Sequence, residues 1–122
     1  DRLEVSKTYY VFEGPFDSMF IDNSIATGGG DIVAALASLK SPKENCVIVY
    51  DNERRSKETV KKIDKAIVNG YNVCIWPQSF LWKDVNDAIM EGLTSEQIKD
   101  IIDSNTYKDL SAKLALQQWK LT

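Results

Sequence analysis

The sequence predicts an α/β fold: a four-stranded parallel sheet flanked by helices, with a helical C-terminal extension. Three observations predict it. Short β-branched or aromatic runs alternate with amphipathic stretches from about residue 8 to residue 90. Cys46-Val47-Ile48-Val49-Tyr50 is continuously apolar, as a strand buried on both faces of a parallel sheet is. Breakers stand at the joints, at Gly14-Pro15, Gly28-Gly29-Gly30, Gly70 and Pro77.

Each element has its own reason. Thr8-Tyr9-Tyr10-Val11-Phe12 reads as the first strand and stops at Glu13-Gly14-Pro15. Phe16, Met19 and Phe20 have the spacing of a short helix over Phe16–Ile21. Ser24–Thr27 is a second short strand closed by the glycines, after which Asp31 caps a helix carrying Ile32, Leu36 and Leu39 along one side. The apolar run Cys46–Tyr50 is the third strand. A basic amphipathic helix then turns Val60, Ile63 and Ile67 inward and stops at Gly70. Asn72–Trp76 is the fourth strand, halted by Pro77. The remainder reads as helices only: a capping box at Thr94-Ser95-Glu96-Gln97 precedes Ile98, Ile101 and Ile102, and Asp103–Thr106 is a helix-helix turn. Tyr107, Leu110, Leu114 and Leu121 mark the last amphipathic helix.

A chain of 122 residues has room for one domain, here a core over about 8–90 and a helical extension over about 91–122. At 43% hydrophobic and 27% charged it has the composition of a soluble globular protein, and no stretch reaches the length of a membrane-spanning helix. Asp1 in place of Met suggests a piece of something longer, and no secretory leader opens it. The net charge of -3 argues against a protein that coats DNA by charge alone. With no histidine, Ser-His-Asp and Cys-His catalysis and His-based zinc sites are excluded, so carboxylates must carry any chemistry. Cys46 and Cys74 lack a CxxC spacing and read as buried free thiols of a reducing compartment.

In open parallel sheets, ligands bind beyond the carboxyl ends of the strands. Glu13 ends the first strand and Asp51 the third, so both fall on that rim, and Glu53 two residues on can point the same way as Asp51. Oxygen ligands without His or Cys suit a hard cation such as Mg²⁺.

Three segments carry a resemblance. Val11-Phe12-Glu13-Gly14-Pro15-Phe16-Asp17-Ser18 resembles the first motif of Toprim domains, a strand, a Glu-Gly and an Asp opening a helix. Val47–Glu53 resembles the second, a buried strand delivering an acidic-x-acidic pair, and Lys83-Asp84-Val85-Asn86-Asp87 resembles the Lys-Asp-x-Asn-Asp segment of primase-helicase Toprim domains. Their order fits from Thr8 to Met90, and within the superfamily the chain is most similar to the DNA primases of large tailed bacteriophages.

The resemblance implies a Toprim-like (Rossmann-like) fold and a primase catalytic core that makes short RNA primers on single-stranded DNA from ribonucleoside triphosphates. It implies Glu13 and Asp51 as catalytic residues, Mg²⁺ (or Mn²⁺) held by Glu13, Asp51 and Glu53, and support from Asp17 and Asp84. It further implies phosphate or nucleic-acid contact at Lys83, a replicative helicase as partner, and a cytoplasmic location, the host cytoplasm for a phage protein. Two alternatives stay open: a Toprim-type metal-dependent nuclease, and a non-catalytic module that binds nucleic acid or protein. Two departures stand out. Glu53 replaces the usual Asp, which pushes it toward water-mediated metal binding, and Arg54-Arg55 stand where a Gly is common. The arginines either grip phosphate or form a solvated first helical turn, where they oppose the helix dipole.

Three further features read as structure. Thr27–Asp31 lacks the P-loop Lys-Ser/Thr and reads as a tight turn on the rim. Lys57, Lys61, Lys62 and Lys65 read as a solvated face. Trp76, Phe80, Trp82 and Trp119 read as core flanking the sheet.

Overall fold

Every strand expected from an apolar run forms. The computed structural model describes residues 3–28, 31–39 and 42–121. Strands β1 (Tyr9–Phe12), β2 (Ser24–Ala26), β3 (Cys46–Val49) and β4 (Asn72–Cys74) are parallel, and β5 (Thr106–Tyr107) joins antiparallel to give the order β2-β1-β3-β4-β5. Helices α1 (Pro15–Ser18), α2 (Ile32–Leu39) and α3 (Lys57–Val68) make the crossovers, and α4 (Val85–Met90), α5 (Ser95–Ser104) and α6 (Asp109–Trp119) follow β4. The chain runs outward from β1 to β2, then returns to the other side of β1 to lay down β3 and β4. Right-handed crossovers therefore put α1 on one face and α2 and α3 on the other.

The order reverses between β1 and β3, and their registers match: Phe12 pairs with Val49, and Val49 with Cys74. Glu13 and Asp51 thus leave the sheet side by side at the switch point, where open α/β sheets bind ligands. All residues of β1 and β3 are buried, as is Tyr50. Ile32, Val33 and Leu36 of α2, Ile63 and Ile67 of α3, and Ile98 and Ile102 of α5 cover the sheet. Gly70 stops α3 with φ 84°, a left-handed position that glycine adopts without a Cβ penalty. The capping box of α5 forms, with Gln97 N–H donating to Thr94 Oγ1 at 3.1 Å and Thr94 N–H to Gln97 Oε1 at 2.9 Å. Burial drives both thiols up, Cys46 to about 11, so neither is a nucleophile at neutral pH. Among the described residues, no helix is long and apolar enough to cross a membrane.

The C-terminal region corrects two expectations. The Asp103–Thr106 segment is no simple helix-helix turn: Thr106 begins β5, with Cys74 paired to Thr106 and Val73 to Tyr107. A two-residue strand is too short to leave an alternating pattern, and its stabilisation comes from β4, whose edge would otherwise go unpaired. The expected inner face of the last helix is also wrong. Tyr107 lies in β5, and Leu110, Leu114 and Leu121 are exposed, whereas Ala112, Leu116 and Trp119 are buried. Ala112 lets the helix approach closely, and burying Leu116 and Trp119 contributes about 1.5–3 kcal/mol each. The leucine stripe had the right spacing and lost to a stripe of equal spacing with a larger payload. The short helix expected over Phe16–Ile21 is only partly as expected: α1 covers Pro15–Ser18, Phe20 packs against the core, Phe16 and Met19 are exposed, and Asp17 is buried. Trp76, Phe80 and Trp119 are core, as expected, and Trp82 is half-buried.

Because α6 packs on α3 and on β4 and β5, it is part of the domain rather than an appendage. A chain cut after Asn105 is expected to lose its cooperative thermal transition by circular dichroism. An unchanged melt would make residues 106–122 dispensable.

Candidate metal centre

The site is built on three loops at the carboxyl rim. Gly14 precedes Pro15 at the start of α1, which places Asp17 in the first turn with its carboxylate inward. Asn86 N–H donates to Asp17 Oδ1 at 2.9 Å, tying α1 to the start of α4. Asp84 caps α4, accepting from Asp87 N–H at 2.8 Å through Oδ1, which leaves its other oxygen uncommitted to the cap. Asp51 follows β3 directly.

Asn52 fastens these loops together. Its side-chain amide donates to Phe80 O at 2.9 Å and Trp82 O at 3.1 Å, while its Oδ1 accepts from Trp119 Nε1 at 2.9 Å. Its backbone N–H donates to Lys83 O at 2.6 Å. Trp76 stacks on Phe80 with centroids 4.0 Å apart and donates its indole N–H to Tyr50 O at 2.9 Å. An aromatic floor thus supports both loops.

Carboxylate oxygens of Asp17, Asp51 and Asp84 lie within 4.8 Å of one another. Glu13 and Glu53 line the same cavity of about 460 Å³, together with Lys62 and Asn86. Glu13 accepts from Lys62 Nζ at 2.8 Å, and Lys62 also reaches Glu58 at 3.7 Å. The hydrogen bond that Lys62 donates to Glu13 is the main reason the Lys62 pKa rises. Burial raises the Asp17 carboxyl, the Asn86 N–H opposes it, and the charges of Asp84 and Asp87 raise it further. Asp51 rises to about 7, first by burial and then by the charges of Asp17, Asp84, Glu13 and Glu53.

An all-oxygen donor set, partly desolvated and crowded, fits a hard divalent cation. Asp17, Asp51 and Asp84 would be its donors, and Glu13 and Glu53 line the same cavity.

The sequence-expected residues divide. Glu13, Asp17, Asp51, Glu53 and Asp84 share one cavity. Lys83 is exposed and outside its lining, although its charge draws the Asp17 carboxyl downward. Arg54 and Arg55 line a neighbouring cavity. Of the α3 lysines, Lys62 pairs with Glu13, Lys65 pairs with Asp31, and Lys57 and Lys61 are exposed. Asp31 also caps α2, accepting from Ala34 N–H at 3.2 Å, while the glycines Gly29 and Gly30 lie outside the described residues. Asn52, Asn86 and the Lys62–Glu13 pair were not foreseen as parts of the site. The only advance signal was position, since Asn52 lies between two acids and Asn86 sits inside the third motif.

The fold and the site together define an α/β protein with an acidic, metal-competent centre at its topological switch point. Over 112 residues the chain is 40% identical to the DNA primase of Enterobacteria phage T4, a match covering 90% of this chain and 32% of that protein. The chain thus spans about a third of the length of the relative it matches, and the relationship to a phage primase runs through nearly all of it. No family model matches the chain.

An acid whose pKa is higher in the folded than in the unfolded state favours folding below the unfolded value, and that advantage disappears as pH rises through the folded value. For Asp51 the window runs from 3.8 to about 7. With metal chelated, Asp51→Asn should melt like wild type near pH 4. By pH 8 it should melt higher, by on the order of 5 °C after allowance for solvent screening. A constant difference across that range would mean that Asp51 is not electrostatically crowded.

Proposed function

We propose that the chain is the Toprim-type catalytic core of a DNA primase, which joins ribonucleotides into short primers on single-stranded DNA with Mg²⁺ or Mn²⁺. The observation that carries the reading is the convergence of Asp17, Asp51 and Asp84 at the sheet's switch point. The 40% identity to a phage primase supports the direction of the chemistry. In that reaction a 3′-hydroxyl attacks the α-phosphorus of a nucleoside triphosphate, a P–O bond forms and pyrophosphate leaves. A divalent cation neutralises charge on the phosphate oxygens and makes the attacking hydroxyl more acidic.

The chain's own groups divide the remaining work. Asp51, Asp17 and Asp84 would hold the cation, and Glu53, one methylene longer than Asp, would support it from the same cavity. Glu13 accepts the hydroxyl proton, oriented by its ion pair with Lys62. Lys83, Arg54 and Arg55 meet phosphates outside the acid cluster. Template, ribonucleoside triphosphates and a replicative helicase are the partners of this reading, and the host cytoplasm is its location.

Glu13→Gln and Asp51→Asn, made in the natural polypeptide that carries this chain, should each lower dinucleotide synthesis by about 100-fold or more while leaving circular dichroism unchanged. Near-normal synthesis by either folded variant contradicts the assignment. The chain alone gives a second test. With a dissociation constant on the order of 1 mM, about 10 mM Mg²⁺ adds roughly 1.4 kcal/mol by mass action. That raises the melting temperature by about 3–6 °C relative to ionic-strength-matched Na⁺. In Asp51→Asn the increment should shrink. Equal curves in both salts would remove the metal from the account.

A further inference from the structure

The carboxylate cavity continues past the acids. Glu53 lines both it and the adjoining cavity, and Arg54 and Gln78 line both that second cavity and a third. The third holds about 460 Å³ at the carboxyl end of β4, against β5 and α6. We propose that a single-stranded nucleic-acid segment follows this groove, with its phosphates on Arg54 and Arg55 and one unstacked base in the third cavity beside Tyr107. The proposal rests on the polynucleotide reading above and extends it to a strand path.

Charge changes along the groove. A phosphate is repelled by the five-carboxylate cavity. Beyond Glu53 the sign reverses: among the described residues neither Arg54 nor Arg55 forms an ion pair, and the closest side-chain partner of Arg54 is Trp76 O at 3.5 Å. Two unpaired guanidiniums near the start of α3 oppose its dipole, a cost that an anion in the groove would offset. The backbone that carries them is fixed, with Leu121 N–H donating to Arg54 O at 2.8 Å. The lip opposite is Leu81, 82% exposed, an apolar edge for a sugar or base.

The third cavity has the chemistry of a base subsite. Trp76 and Trp119 are buried, with both indole N–H groups committed to Tyr50 O and Asn52 Oδ1, so they form the cavity's fixed apolar floor and compete for no hydrogen bond. Tyr107 is half-buried in the lining and is the aromatic side chain there that keeps exposed surface. Around it stand amides: Gln78 and Gln118 are exposed, and Asn105 spends its Nδ2 on Ile101 O and keeps its Oδ1. A partly exposed aromatic ring flanked by groups that both donate and accept hydrogen bonds suits a nucleobase, and ring stacking tolerates any base. The rival surface, the lysine face of α3, has already given Lys62 and Lys65 to ion pairs.

The test is a heteronuclear NMR titration of the isotope-labelled 122-residue chain in chelator, with an oligothymidylate of about eight nucleotides in one arm and ATP in the other. The strand should move the side-chain amide signals of Gln78, Asn105 and Gln118 and the Nε signals of Arg54 and Arg55. Arg55→Gln should flatten the salt dependence by about 0.7 in log-log slope. Tyr107→Leu should raise the half-saturating concentration about fivefold or more. Gln118→Ala, at an exposed helical position, should weaken binding without touching the core. Shifts confined to α3, or none at millimolar strand, overturn the path. Shifts of these signals with ATP and not with the strand would make the cavity a mononucleotide subsite and overturn it equally. Neither metal nor synthesis enters the titration, so its failure leaves the catalytic reading of Asp51 intact. Conversely, an active Asp51→Asn primase would end that reading without moving these signals.

Discussion

The structure depends on one amide. Asn52 uses both side-chain donors and its acceptor, along with its backbone N–H, to join the loop after β3 to the 80–83 loop and to α6. Few side chains can do this, because an amide alone combines donors and an acceptor without charge. The residues on either side of these bonds are Asp51 and Asp84, whose carboxylates would otherwise drift apart. Holding them is the work of the clamp. Removing its side chain leaves two partly buried carbonyls and an indole N–H without their partner, the costly case for a lost hydrogen bond.

Crowded acids are unfavourable for folding and useful for binding. Burial and mutual charge push the Asp51 carboxyl up to about 7, and Asp17 is buried on a helix turn that exposes Phe16 and Met19. A sequence selected only for stability would have placed Phe16 inward and Asp17 outward. Such local violations mark functional sites in otherwise consistent chains. Lys62 offsets one of the negative charges at Glu13 and none at Asp51, so the unneutralised part of the cluster is the part nearest the three converging aspartates. A cation completes this arrangement and the surrounding core supports it.

The parallel sheet was legible because its central strands β1 and β3 are buried on both faces and its breakers are unambiguous. Glu13 and Asp51 were legible for the same reason, since strand ends fix which residues reach the rim. The reversal between β1 and β3, which sets the two side by side, lies in strand order, which spacing along the sequence does not encode. Other features left no pattern in the sequence. Strand β5 is two residues long, and α6 offered competing stripes that only packing against α3 and β4 could decide. The clamp was invisible because it spans 28, 30 and 67 residues of sequence. Arg54 and Arg55 looked like companions of the acid pair, yet the chain turns there and carries them into the next cavity.

The central claim is that Asp17, Asp51 and Asp84 form one cation site. Anomalous diffraction from a crystal of the chain soaked in Mn²⁺ tests it most directly. The account predicts a peak among the three aspartates, bound to Asp51 and to Asp17 or Asp84 at about 2.0–2.2 Å, close to the distances hard divalent ions adopt with carboxylate oxygen. A peak at another cluster, or no ordered Mn²⁺ among these carboxylates at millimolar concentration, would contradict it.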